Sequence, residues 1–264
     1  MLRPKRSLGQ NFLIDKNILK KITQNTIIKN EHIIEIGPGS GNLTEIILEK
    51  NPKSLIIIEK DSNLIPQLRS RFRSFNNLKI INDDILKINL EKIMTSKTII
   101  FGNLPYNIST KILINLIKFE NWPPKYNKLI LMFQKEVGER IKAKYNQKNY
   151  GRLSIFCDWR LNILRNFDIT KNSFFPKPKV SSTLIEFEPK NTSQSTCIKC
   201  ETLEKVTNIM FSNRRKMINK AINKIFKNSK EVVNNLDLNI NVRPGEISKD
   251  IYVKLAKFLE KSVN

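Results

Sequence analysis

The feature that most restricts the fold is the turn Gly37-Pro38-Gly39-Ser40-Gly41, with what stands on either side of it. Before it runs His32-Ile-Ile-Glu-Ile36, a short apolar stretch suited to a buried strand. After it, Asn42 to Lys50 carries Leu43, Ile46, Ile47 and Leu48 at helical spacing. The alternation repeats. Ser54-Leu-Ile-Ile-Ile58 reads as a strand, Leu64 to Phe72 as a helix, and Leu78-Lys-Ile-Ile81, Thr98 to Phe101 and Lys128 to Phe133 as further strands. Strands alternating with helices predict a parallel sheet covered on both faces, an α/β fold. Beyond Pro176-Lys-Pro178, the β-branched run Val180 to Phe187 suits a final strand, and polar Pro189 to Thr196 reads as a linker. From Leu203 on, helical patterns dominate, through Val206, Ile209, Met210, Met217, Ile218, Ala221 and Ile225. The chain of 264 residues therefore divides into an α/β domain over 1–189 and a smaller, all-helical domain over 190–264.

Chemistry gathers where the expected strands end. The glycine turn follows a strand and opens a helix, so its backbone can approach a nucleotide-like ligand closely. Its Gly-x-Gly-x-Gly spacing is not that of dinucleotide sites, and a plain structural turn is the alternative. The next strand ends at Glu59, about 20 residues on, where an acid can bind the two hydroxyls of a ribose. Asp84, just after the third strand, can receive an adenine amino group. Either acid in isolation reads rather as an exposed loop residue; in this order they favour an adenosine cofactor.

The fourth strand runs into Phe101-Gly-Asn-Leu-Pro-Tyr-Asn-Ile-Ser-Thr110. Asn103 offers a side-chain carbonyl, Leu104 a backbone carbonyl beside Pro105, which has no N–H, and Tyr106 an aromatic face. An exocyclic amine such as adenine N6 is a poor nucleophile because its lone pair is delocalised into the ring. Two acceptors holding its hydrogens can turn that lone pair toward an electrophile while a stacked ring fixes the base. A Pro-Tyr turn with a helix-capping Asn is the structural alternative.

Charge points to a polyanionic partner. Lys and Arg number 47 against 24 Asp and Glu, a formal net charge of +23. Ile, Lys and Asn are over-used throughout, so part of the excess is compositional. The stretch from Ser212 to Lys230, however, holds seven basic residues and no acid, where ordinary solvated helices mix their signs. The three cysteines, Cys157, Cys197 and Cys200, cannot build a full disulfide framework, which agrees with a reducing, cytoplasmic compartment. Cys197-Ile-Lys-Cys200 has the spacing of half a zinc site, but the one histidine, His32, is far off in sequence and reads as a surface residue, so no metal is expected. Histidine-based triad chemistry is equally unsupported. The basic start, Met1 to Leu8, has no apolar segment of a secretory signal, and no run reaches the roughly 18 apolar residues of a membrane span.

Taken together, these motifs closely resemble the 16S ribosomal RNA adenine dimethyltransferase family, whose relatives include the erythromycin-resistance methyltransferases. The resemblance spans nearly the whole chain: Leu8-Gly-Gln-Asn-Phe-Leu13, Glu35-Ile-Gly-Pro-Gly39, Glu59, Asp84, Gly102 to Thr110, Gln134-Lys-Glu-Val137, Tyr150-Gly-Arg-Leu-Ser154, Phe174 to Val180 and Phe211-Ser-Asn-Arg-Arg-Lys216. Ser181 and Ser40 depart from the family's usual residues at positions where no contact is expected. The resemblance implies a Rossmann-like class I methyltransferase sheet and transfer of two methyl groups from S-adenosylmethionine to N6 of each of two adjacent adenosines, in a hairpin loop near the 3′ end of 16S rRNA. It implies Asn11, Leu13, Gly37, Glu59, Asp84 and Asn103 around the methyl donor. Asn103, Leu104, Pro105 and Tyr106 would hold the target base, with Phe174 as a second stacking ring or a core residue. The sulfonium is the electrophile, so neither a metal nor a covalent enzyme intermediate is required. Arg214, Arg215, Lys216 and Lys220 are expected to grip rRNA in the small subunit or its precursor, with the chain acting as a monomer.

Other readings stay open at this point. A nicotinamide-dependent oxidoreductase would use the glycine turn but leaves Asn103 to Tyr106 and the basic stretch unexplained. A 23S rRNA methyltransferase of the erythromycin-resistance type, or an assembly factor acting mainly by binding rRNA, fits the same motifs.

Overall fold

The computed structural model describes residues 5, 9–191 and 193–262. Leu8, which opens one of the motifs above, and most of the basic start lie outside the described residues.

The chain opens with a two-residue strand β1 (Phe12–Leu13) and helix α1 (Lys16–Gln24). Asp15 starts that helix by accepting hydrogen bonds from the backbone N–H groups of Asn17 at 3.0 Å and Ile18 at 3.2 Å. The expected alternation then appears as β2 (His32–Ile36), α2 (Asn42–Glu49), β3 (Ser54–Glu59), α3 (Ile65–Arg71), β4 (Leu78–Asn82), α4 (Leu90–Ile93), β5 (Thr98–Asn103), α5 (Ser109–Ile117) and β6 (Tyr126–Gln134). Next come α6 (Lys135–Lys142), α7 (Arg152–Arg160), β7 (Leu161–Ile169), β8 (Phe174–Phe175) and β9 (Ser182–Pro189). The segment expected as a linker holds one short helical turn, α8 (Ser193–Thr196). The remaining helices are α9 (Cys200–Phe211), α10 (Asn219–Ile225), α11 (Ser229–Leu236) and α12 (Lys249–Lys261).

Seven strands form one sheet in the order β4-β3-β2-β5-β6-β9-β7. The five strands from β4 to β6 run parallel to their neighbours, and β9 pairs antiparallel with β6. Strand order reverses between β2 and β5, which opens a crevice at the carboxyl ends of those two strands. Register decides what faces it. Ile36 stands opposite Ile58 on one side and Gly102 on the other, so Gly37, Glu59 and Asn103 emerge at the same edge. Buried Ile33, Ile57, Ile99, Phe101 and Ile130 form the core behind them. β1 pairs antiparallel with β8, setting Phe12 opposite Phe175 and Leu13 opposite Phe174.

The chain divides into two compact units. One comprises 1–119, 124–138 and 163–189, the other 120–123, 139–162 and 190–264. The second unit gathers α7 together with the chain beyond 189; the buried Leu153, Ile155, Phe156 and Trp159 belong to this helix, which packs on α9 and α12. Within this unit Phe211 stacks on Tyr252 with ring centroids 5.8 Å apart, and the Tyr252 hydroxyl donates to the Pro244 carbonyl at 2.7 Å. No helix among the described residues is long and apolar enough to cross a membrane.

Candidate active site

Most of the acids, amides and aromatics singled out in the first unit line one cavity of about 140 Å³ at the carboxyl ends of β2 to β5: Asn11, Gly37, Glu59, Asp84 and Asn103 to Tyr106. Gly37 holds φ at +71°, and a Cβ there would lie 3.4 Å from the Asn103 carbonyl oxygen. The glycine keeps two strand ends close together, as only this residue does without strain.

Glu59 closes β3 at 7% exposure. Its carboxylate accepts from the backbone N–H of Asp61 at 2.8 Å and of Gly39 at 3.2 Å, which fixes the head and leaves other lone pairs facing the cavity. Burial lifts its pKa above the ordinary carboxylate value, against the pull of those hydrogen bonds. One strand away, Glu35 is fully enclosed and pushed up to about 8, mainly by burial, while Thr44 donates to it at 2.6 Å.

Asp84 behaves in the opposite way. It takes the ammonium of Lys60 at 2.8 Å and the N–H of Leu86 at 3.0 Å, and the Lys60 hydrogen bond is the main reason its pKa falls below the ordinary range.

Asn103 is oriented by its own amide. Its Nδ2 donates to the Asn11 carbonyl at 2.8 Å, so Oδ1 remains as the acceptor. Tyr106 is half-buried, and its hydroxyl is 2.6 Å from the Ser182 hydroxyl. Burial raises the phenol above its ordinary pKa despite that contact, so the ring is neutral at physiological pH.

Three expected residues, Leu13, Phe174 and Arg214, take other places, while Leu104 keeps its place in the cavity wall. Leu13 is core, and its carbonyl accepts from the Asn42 amide at 2.8 Å, tying β1 to the start of α2. Phe174 is 3% exposed within the core cluster and does not line the cavity, whereas Phe175 beside it is 57% exposed. Strand alternation decides which ring goes inside, so Phe174 takes its core alternative; stacking on a base would require it to leave that packing. Leu104, 1% exposed, lends the cavity wall its backbone while its side chain packs against Gly102. In the second unit, Arg214 is a strut: its Nη2 donates to the Tyr150 carbonyl at 2.7 Å and to the Lys148 carbonyl. Arg215, Lys216 and Lys220 are exposed.

Some site residues escaped the sequence reading. Asp61, 3% exposed, receives Lys5 at 2.7 Å and the Gln10 amide at 2.8 Å, which fixes these two residues beside Glu59. Burial would raise Asp61, but the hydrogen bonds from Lys5, Gln10 and Asn63 prevail and hold it below its ordinary value. Phe12 lies against the glycine turn so closely that a Cβ on Gly39 would meet its ring at 2.6 Å. Gln10 and Phe12 sit inside a motif quoted above, but nothing local in the sequence shows where they reach.

The family model for ribosomal RNA adenine dimethylase matches residues 1–261. The chain belongs to that family. A ribosomal RNA small subunit methyltransferase A of Pelagibacter ubique is 47% identical over 98% of both chains, and one from the Wolbachia of Drosophila simulans is 38% identical over 98% of this chain and 95% of its own. Among solved structures, a dimethyladenosine transferase from Plasmodium falciparum superposes with a TM-score of 0.80 at 28% identity, covering 96% of this chain and 98% of that one. A 23S rRNA methyltransferase at 17% identity and a TM-score of 0.67, over 94% of this chain and 99% of its own, shares the fold. This ribosomal RNA adenine dimethylase is thus an enzyme with the Rossmann-like class I methyltransferase sheet and a helical C-terminal region.

Proposed function

We propose that this dimethylase uses S-adenosylmethionine to add two methyl groups to N6 of each of two adjacent adenosines in a hairpin loop near the 3′ end of 16S rRNA, in the course of small-subunit biogenesis. The observation that carries the reading is the orientation of Asn103, whose amide hydrogen is committed to Asn11 while its carbonyl oxygen is left as an acceptor at the cavity.

The residues fit an adenosyl donor. Glu59 presents a fixed carboxylate for ribose hydroxyls, Asp84 an acceptor for an adenine amine, and Gly37 a backbone without the Cβ that would crowd the space before Asn103. When bound, the donor supplies an electrophilic methyl on a sulfonium. The chain's own groups do the rest. Asn103 Oδ1 and the Leu104 carbonyl accept the two N6 hydrogens and draw the nitrogen lone pair out of ring conjugation. Tyr106, neutral and steadied by Ser182, offers its face to the base. Each transfer forms an N–C bond as the C–S bond breaks, and the proton freed from N6 passes to solvent; a single N6 hydrogen remains after the first, so one acceptor suffices for the second. The target must leave its stack to reach this cavity, which suits a loop nucleotide. Arg215, Lys216 and Lys220 supply grip on phosphates.

The test is single-turnover methylation of small-subunit particles, with the modified bases mapped afterwards. Two dimethylated adenosines in the 3′-terminal hairpin are expected. Asn103→Ala should lower the rate on the order of 10²–10³-fold at saturating RNA, the usual cost of losing one preorganised polar partner. Methylation confined to 23S rRNA, or an unchanged Asn103→Ala rate, would overturn the reading.

A further inference from the structure

The second unit holds a cavity of about 600 Å³ between α10 and α11, closed on one side by Ile240. Its lining combines apolar side chains with amides and cations. Ile222 and Phe226, 1% and 5% exposed, form an apolar floor, and half-buried Val233 and Ile240 continue it as walls. At the rim stand the exposed amides of Asn223 and Asn234, neither of which makes a hydrogen bond to another described residue, beside the exposed ammonium groups of Lys227 and Lys230. A flat ring with polar edges matches such a slot: its faces need apolar contact, its edges need paired donors and acceptors, and its backbone needs cations. The stretch 212–230 carries no Asp or Glu, and Glu231 in the first turn of α11 is engaged by the Asn228 amide at 2.7 Å.

We infer that the α10–α11 cleft takes one unpaired base of the substrate RNA, read by the amides of Asn223 and Asn234, with Lys227 and Lys230 on the adjoining phosphates. The inference rests on the proposed rRNA substrate and adds to it. The basic loop before α10 would hold RNA whatever its sequence, whereas this cleft would distinguish a base from a bare backbone.

Two measurements on the full chain test it. In the first, small-subunit rRNA substituted with 4-thiouridine is cross-linked to the wild-type protein and the attached peptides are mapped. Cross-links within 219–240 are expected, and Val233→Trp, which sets a bulky ring into the wall of the cleft, should reduce them. In the second, affinities are compared for two oligoribonucleotides of equal length, one with all its bases and one abasic at its centre. Asn223→Ala with Asn234→Ala should weaken the base-bearing RNA about tenfold and leave the abasic one unchanged. Lys227→Gln with Lys230→Gln should weaken both and flatten the plot of log affinity against log salt by about 1.4. Thermal melts confirm that each variant is folded. Methylation of particles at saturating concentration should persist in all of them; absence of methylation by the wild-type protein would count against the proposed reaction and not against the cleft. Absence of cross-links in 219–240, or equal affinities of the Asn223/Asn234 variant and wild type for the base-bearing RNA, would overturn the inference.

Discussion

The crevice of the first unit and the basic loop of the second hold their polar groups in opposite ways. In the crevice nearly every working group is itself held: Asn103 by Asn11, Glu59 by Asp61 and Gly39, Tyr106 by Ser182. In the loop between α9 and α10, Arg215 and Lys216 stand exposed on a short connection, and of the three adjoining cations it is Arg214 whose side chain is held, by the Tyr150 and Lys148 carbonyls. Chemistry on one atom needs groups fixed in advance, because reorganisation during reaction adds to the barrier. Attraction to a chain of phosphates needs charge within reach and tolerates many geometries.

The contrast can be broken most forcefully at the support of the crevice. Phe174→Ala removes a buried ring opposite Leu13 and should cost about 3–5 kcal/mol of stability in denaturant unfolding. A change under 1 kcal/mol would mean that the β1–β8 pair does not brace the site.

Next in size is the pH dependence of donor binding. Because the pKa of Glu59 is raised in the fold, its carboxylate takes up a proton, and loses an acceptor, at a pH above that for an ordinary glutamate. Affinity for S-adenosylhomocysteine should therefore fall as pH drops through that raised value. The same group opposes folding once ionised, so its contribution to stability is full at low pH and is lost as pH rises through the folded pKa. Calorimetric titration of wild type and Glu59→Gln across pH should show a slope in the first and a flat line in the second; parallel curves would take Glu59 out of the donor site.

The loop gives subtler effects. Arg215→Ala with Lys216→Ala should leave the melting curve within about 0.5 kcal/mol of wild type and flatten the salt dependence of RNA binding by up to about 1.4 log units. Arg214→Ala should do the reverse and by less. Losing its bonds to Tyr150 and Lys148, on an exposed side chain, should cost about 1 kcal/mol of stability with no change of salt slope. An unaltered melt with a flattened slope would place Arg214 among the phosphate contacts after all.

How much of this was legible in the sequence follows from where each signal resides. Glu59, Asp84 and Asn103 could be placed because each ends or follows a strand of a parallel sheet, and such strands bring their carboxyl ends to one edge. Leu161–Ile169 escaped as a strand because its apolar residues do not sort to one face: as an edge strand it leaves Ile163 and Leu164 36% and 44% exposed. The choice between Phe174 and Phe175 depends on strand parity, which a two-residue strand does not reveal until its partner is known. Arg214 looked like its neighbours because the carbonyls that hold it lie far back in the chain. The extra segments of the second unit were hidden for the same reason, since α7 finds α9 and α12 only in three dimensions.

The pairing of β1 with β8 also bears on the order in which the molecule is made. Phe12 and Leu13 leave the ribosome early, Phe174 and Phe175 much later, and the Asn11 carbonyl that orients Asn103 adjoins the first pair. While the chain is being synthesised, its parallel strands can assemble with the carboxyl edge still open. The β1–β8 pair cannot form until translation has passed residue 175, so the strand next to the Asn11 carbonyl gains its partner only after most of the enzyme exists.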